Sequence, residues 1–293
     1  MFSIVPRRTT WYLCSGTLVV ASMVLIVMWR FNLGIDFTGG SLMEFAFSGA
    51  RPDASAIERE VSNLGAHRVI VQPAGAQDAI IRSEILSPEL HRSIVTAFAG
   101  RAVEHRFETI GPSIGRELAR KTAIGVTLAL ALIVIYVAWM FRRAGGQISS
   151  WVYGFTALIV MVHDVAIPSG VFAVLGHLRG VEVGAPFIAA LLTILGYSIS
   201  DTIIVLDRVR ENGSTARGKP FADIVERSVH QSFARSMYTT LTTILALLAV
   251  IFFGSPSIRY FALALAIGIG VGAYSSIFIA APLLVTWQQR RGR

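Results

Sequence analysis

Cysteine is nearly absent. Cys14 is the only one in 293 residues, so no intrachain disulfide can form and cysteine usage carries no message about redox compartment. Charge is scarce too: 15% of residues are Asp, Glu, Lys or Arg, against 54% hydrophobic, with a mean hydropathy of +0.62. That balance excludes an ordinary water-soluble globule and leaves a polytopic membrane protein. Acids are the rarer sign, 18 against 26 basic residues, for a net charge of +8. The basic excess does not call for nucleic acid, because Lys and Arg gather on the cytoplasmic loops of membrane proteins. Zinc-ligand spacing, a nucleophile elbow and a phosphate loop are missing, and no low-complexity segment appears. The sequence therefore calls for no cofactor and no metal.

What is present is a set of long apolar runs. Six stretches approach the roughly 20 residues needed to cross a bilayer: about 11–29, 122–141, 151–175, 186–206, 237–253 and 259–287. Trp11, Trp29, Trp139, Trp151, Tyr260 and Trp287 mark their ends as an aromatic belt. The first run follows Arg7 and Arg8 as a signal peptide would. It is too long for such a peptide and no small-residue cleavage site follows, so it reads as a retained span.

Arginines set the orientation. Arg7 and Arg8 precede the first run, Arg142 and Arg143 join the second to the third, and Arg208, Arg210, Arg217, Lys219, Arg227 and Arg235 lie in the connection 207–235. Arg290, Arg291 and Arg293 end the chain. With six spans all of these fall on one side, which predicts cytoplasmic termini. The chain then divides into a first span (1–29), an extracytoplasmic domain (30–120) and a five-span region (121–293).

Residues 30–120 alternate between strand and helix periods. Strands are predicted at 41–47, 68–72, 78–84 and 103–110, with a turn around Pro73–Gly75. Asp53 and Ser55 can cap one helix through Leu64, and Ser87-Pro88 opens another that ends at Gly100. The order βαββαβ predicts an α+β, ferredoxin-like unit. It is bracketed by two glycine-bearing turns. One is Gly34-Ile35-Asp36-Phe37-Thr38-Gly39-Gly40, where Asp36 reads as a turn-stabilising residue; the other is Gly111-Pro112. Both are candidate hinges.

Two acids interrupt the apolar runs. Asp164 sits near the middle of the third, where a carboxylate costs about 2.5–3.5 kcal/mol on insertion scales. Such residues mark ion or proton paths or bond a neighbouring helix. Pro168 removes the amide that would bond the Asp164 carbonyl, which with Gly170 predicts a kink or opened backbone. His163, adjacent in sequence, should point to a different helix face. Asp201 lies on the fourth run, where Ser198, Asp201, Val205 and Arg208 recur at helical spacing. Thr239, Thr242 and Thr243 form an i, i+3, i+4 set at the depth of Asp201, and could line a water wire or simply bond backbone. Gly268, Gly272 and Ser276 form a small-residue row that predicts close helix packing without chemistry.

The motifs GIDFTGG (34–40), GPSIG (111–115), VHDV (162–165) and GYSISDTIIVLDRVREN (196–212), in this order around one large loop, resemble the SecF family of bacterial protein-translocation subunits over essentially the whole chain. The family usually has Asn where Ser200 stands. The resemblance implies a non-enzymatic inner-membrane subunit that pairs with SecD, associates with the SecYEG channel, and uses the proton-motive force to help move preproteins outward. It implies that Asp164 is the acid of a proton pathway, with Asp201 and Arg208 at the charged end of the next helix. It implies lipid as the surrounding phase and no nucleic acid partner. A half-subunit of a proton-driven small-molecule or lipid exporter is the alternative. A third class, an intramembrane hydrolase using His163 and Asp164, lacks a suitably placed nucleophile.

Overall fold

A computed structural model describes residues 3–143, 149–216 and 218–291. Arg217 and Arg293, counted above among the basic connections, lie outside them. The chain divides into two compact units, residues 32–124 with 182–185, and residues 1–31, 125–181 and 186–293.

The smaller unit opens with the helical turn α2 (Ile35–Thr38) and continues β1 (Gly40–Phe47), α3 (Ala54–Asn63), β2 (Ile70–Ala74), β3 (Asp78–Ser83), α4 (Pro88–Phe98) and β4 (Ala102–Ile110). The four strands form one antiparallel sheet in the order β2-β3-β1-β4. Alternation decides which side is covered: Met43, Phe45 and Phe47 of β1 and Ala79 and Ile81 of β3 are buried with Ile57 and Val61 of α3 and Ile94 and Phe98 of α4. Ser87 caps α4, its side chain accepting from the Leu90 amide at 3.2 Å. Asp53 precedes α3 but its side chain makes no capping bond. The second strand begins and ends later than its sequence pattern indicated, because Pro73 lies inside β2 rather than in the turn. β2 is an edge strand, the place in a sheet where proline is tolerated.

The two glycine-bearing turns meet. A Cβ on Gly39 would stand 2.8 Å from Pro112 Cα, one on Gly40 2.7 Å from the Ser83 carbonyl oxygen, and one on Gly115 3.0 Å from the Gly39 nitrogen. Gly39 and Gly40 have φ of +76° and +135°, which side-chain-bearing residues rarely adopt. Backbone contact at that range explains why the two motifs share glycine. Residues 182–185 join the same unit: Gly34 donates to the Val183 carbonyl at 3.0 Å and Val183 to that of Asn32 at 2.8 Å.

The larger unit is helical. Its elements are α1 (Arg8–Trp29), α5 (Pro112–Met140), α6 (Ser150–Arg179), α7 (Ala185–Thr215), α8 (Phe221–Phe253), α9 (Pro256–Ser275), a π-helical segment (Ser276–Ala280) and α10 (Ala281–Arg291). Here α5 enters from the smaller unit, so the second span starts at Pro112, well before its apolar run. Six helical segments among the described residues are long and apolar enough to cross a membrane. Several run past their apolar cores as polar helix, which hydropathy cannot register. α6 is unbroken through Pro168. The irregular backbone appears instead in the last span, where residues 276–280 form the π segment. Such an insertion widens one turn, and these bulges recur at functional sites.

Candidate functional site: a buried carboxylate cluster in the helical unit

Asp164 of α6 is fully buried. Its Oδ2 accepts from two hydroxyls on other helices, Ser198 of α7 and Ser275 of α9, the latter at 2.8 Å. Its Oδ1 lies 2.8 Å from His163 Nδ1. Sequence spacing placed His163 on another face; the structure corrects this, because adjacent side chains turn toward each other. Three donors around one carboxylate in a water-poor interior offset much of its desolvation cost.

The small-residue row of the last span belongs to this site and is more than packing. A Cβ on Gly272 would stand 3.1 Å from Ser198 Cβ and 3.6 Å from Asp164 Oδ2, and one on Gly268 would overlap the Ile194 side chain. The absence of those atoms lets α9 approach α7 closely enough for Ser275 to reach the acid. One residue on, Ser276 meets Thr202 of α7 at 2.9 Å, both buried.

Asp201 is half-buried and accepts from Ser236 of α8. Ser236 belongs to a row the sequence reading missed: Ser228, Ser232, Ser236 and Thr240 recur every fourth residue and all are buried. That spacing was the available signal. The threonines singled out lie mostly beside this face. Thr239 and Thr242 are exposed and donate to carbonyls of their own helix. Thr243 does so too, and also meets the Tyr197 hydroxyl at 2.7 Å. Arg208 is not gathered with either acid. It is exposed and pairs with Glu211 at 2.7 Å, as Arg210 does with Asp207. Those pairs neutralise the like charges of Asp207 and Glu211 at the end of α7.

In the smaller unit, the hinge candidates Gly34, Asp36, Gly39, Gly40, Gly111 and Pro112 all lie where the two turns and residues 182–185 meet. Asp36 Oδ2 accepts from the amide of Ala185, the first residue of α7, at 2.7 Å. Arg82 Nε stands 2.6 Å from Glu182 Oε1, both largely buried. Burial pushes the Glu182 carboxyl up to about 7, against the pull of the Arg82 guanidinium and with help from the Asp36 charge. Among the described residues no group of three or more His, Cys, Asp or Glu side chains is placed to hold a metal.

A multi-pass helical protein with an α+β insertion after its first span, and a buried carboxylate held by hydroxyls from two further helices, is the class that fold and site define. The family model for the C-terminal region of the protein export membrane proteins SecD/SecF matches residues 90–290, and a SecD/SecF GG motif matches residues 30–50. The chain belongs to the SecD/SecF family. It is 36% identical to protein translocase subunit SecF of Thermobaculum terrenum, over 99% of this chain and 95% of that one. It is 33% identical to the SecF of Anaerolinea thermophila, over 100% of this chain and 96% of that one. Against SecDF of Thermus thermophilus it is 38% identical over 96% of its length but spans 38% of that longer protein. The crystal structure of SecDF, a translocon-associated membrane protein from Thermus thermophilus, superposes with a TM-score of 0.87 at 33% identity, covering 99% of this chain and 39% of that one.

Proposed function

We propose that the chain is the SecF-type subunit of a Sec protein translocase. It works with a SecD partner, draws on the proton-motive force, and promotes preprotein export through a SecYEG-type channel without an enzymatic reaction of its own. SecDF relatives, of whose length this chain spans 38% and 39%, support the SecD pairing. The basic connections support a plasma-membrane protein with cytoplasmic termini. The βαββαβ order supports an extracytoplasmic, ferredoxin-like head at residues 30–120.

The observation that carries the proton coupling is Asp164. It is a fully buried acid in a membrane-length helix, met by hydroxyls from two other helices. One charge moving across a membrane potential yields about 2.3 kcal/mol per 100 mV, enough for a few protons to bias a conformational cycle. Asp201, bonded by Ser236, is a second acid for that pathway, while Arg208, the third residue of the expected pathway, is paired with Glu211 at the end of α7.

Asp164→Asn in cells that depend on this subunit is the test. The amide keeps the size and its oxygen can accept from Ser198 and Ser275, but it does not take up and release a proton near neutral pH. The variant should accumulate and co-purify with its partner, yet lose gradient-stimulated export. Wild-type gradient dependence in a fully accumulated variant overturns the reading.

A further inference from the structure

Three donors surround Asp164, and one of them is an imidazole. His163 is 4% exposed. Its Nδ1 faces Asp164 Oδ1 at 2.8 Å, while its Nε2 is buried with no hydrogen-bond partner among the described residues. An unpaired imidazole nitrogen in a water-poor interior costs roughly 1–3 kcal/mol. A purely structural histidine would have that nitrogen bonded to a carbonyl or hydroxyl. Elements packed around the ring supply none. Tyr274 of α9 lies over it, ring centres 6.2 Å apart, but its hydroxyl is taken by Ser15 of α1 at 3.0 Å. Ionisable groups on the neighbouring helices are engaged elsewhere: Cys14 of α1 lies beside Tyr274, Tyr12 of α1 bonds Thr286, Tyr197 of α7 bonds Thr243, Asp201 of α7 bonds Ser236 of α8, and the charges at the end of α7 pair with one another.

We infer that His163 and Asp164 act as one proton-carrying pair, with His163 Nε2 the atom at which the proton enters and leaves. This rests on the proton-coupled reading above and names a residue that reading does not use. In the empty pair, Asp164 is ionised and neutral His163 donates its Nδ1 hydrogen to Oδ1. Nε2 then presents a free lone pair. A hydrated proton reaching Nε2 forms an N–H bond there, and the Nδ1 hydrogen passes to Oδ1, leaving a neutral acid beside a neutral imidazole. Release runs the same transfers backwards to water on the other side. One proton is taken up and one given back, and the pair's charge alternates between −1 and zero. Histidine suits the task because its two nitrogens accept and donate in turn near neutral pH. The hydroxyls of Ser198 and Ser275 can reorient but carry no charge.

The test is gradient-driven export, and proton uptake by vesicles holding the assembled complex, measured across pH 5–9 for wild type, Asp164→Asn, His163→Asn and His163→Gln. The asparagine amide can still donate to Asp164 Oδ1, as Nδ1 does, but cannot relay a proton. In accumulated, co-purifying protein, His163→Asn should lower both rates about a hundredfold, the lower end of what a placed proton-transfer group contributes, and flatten the pH profile of what remains. If that variant does not accumulate, His163→Gln carries the same comparison. Wild-type rates and pH profile in either histidine variant, beside an inactive Asp164→Asn, overturn the pair and leave Asp164 the sole carrier. An active Asp164→Asn overturns the proton-coupled reading and the pair with it.

Discussion

The carboxylate of Asp36 accepts a hydrogen bond at 2.7 Å from the backbone amide of Ala185, 149 residues along the chain. Ala185 opens α7, so an acid in the first glycine motif serves as the cap of a later membrane helix. A negative group at a helix N-terminus satisfies an orphan amide and opposes the helix dipole. Asp36→Ala should lower stability by about 1 kcal/mol, read as a lower thermal midpoint of the purified protein. Asp36→Asn, which keeps the acceptor, should lose less. Equal midpoints for wild type and the alanine variant would show that the bond is not made in the membrane.

Gly39 and Gly40 should tolerate no side chain. Each combines a positive φ with backbone inside contact range of a new Cβ. Gly39→Ala and Gly40→Ala should each cost about 1–3 kcal/mol or more and sharply reduce accumulation. Gly213, helical and with open space where its Cβ would go, is the control. Gly213→Ala should be neutral or stabilising by up to about 1 kcal/mol. Comparable losses at all three positions would refute the geometric argument.

The pair Arg82–Glu182 predicts a pH dependence. The folded-state pKa of Glu182, about 7, lies above its ordinary 4.5, so the folded chain binds this proton more tightly than the unfolded one. Its contribution is therefore greatest at or below about pH 4.5 and is lost as pH rises through about 7. The thermal midpoint of wild type should fall, relative to Glu182→Gln, between pH 5 and pH 8. A difference between the two proteins that stays flat over that window rules out a raised pKa.

Topology is open to a thiol-labelling test. In a Cys14→Ser background, Gln77→Cys in the β2–β3 turn and Ser214→Cys near the end of α7 are both exposed positions. An impermeant reagent should label the first in sealed cells and the second only after lysis. Labelling of Ser214→Cys from outside would reverse the orientation that the arginine-rich connections imply.

Hydropathy and strand–helix alternation are local properties. For that reason the apolar runs, the place of Asp164 in a membrane-length helix and the βαββαβ order of the smaller unit could be read along the chain. Helix ends could not: α5 and α8 continue as polar helix beyond their apolar cores, where nothing in hydropathy changes. The expected opening at Pro168 depended on a missing amide, but one lost bond does not break a helix packed on both sides. The irregular turn fell instead at residues 276–280, just ahead of Pro282, whose missing amide leaves the Phe278 carbonyl without its usual helical partner.

What only the tertiary structure decided is which groups meet. Ser198 was visible as a polar residue on the Asp201 face, yet its bond runs to Asp164. Ser275 was not singled out because its value depends on how closely α9 approaches, which Gly268 and Gly272 permit. Periodicity specifies the face a residue occupies on its own helix. The rotation and depth of one helix against another follow from the sum of many contacts across elements far apart in sequence. His163 bonded to Asp164, Asp36 to Ala185 and Arg82 paired with Glu182 all arise at that level.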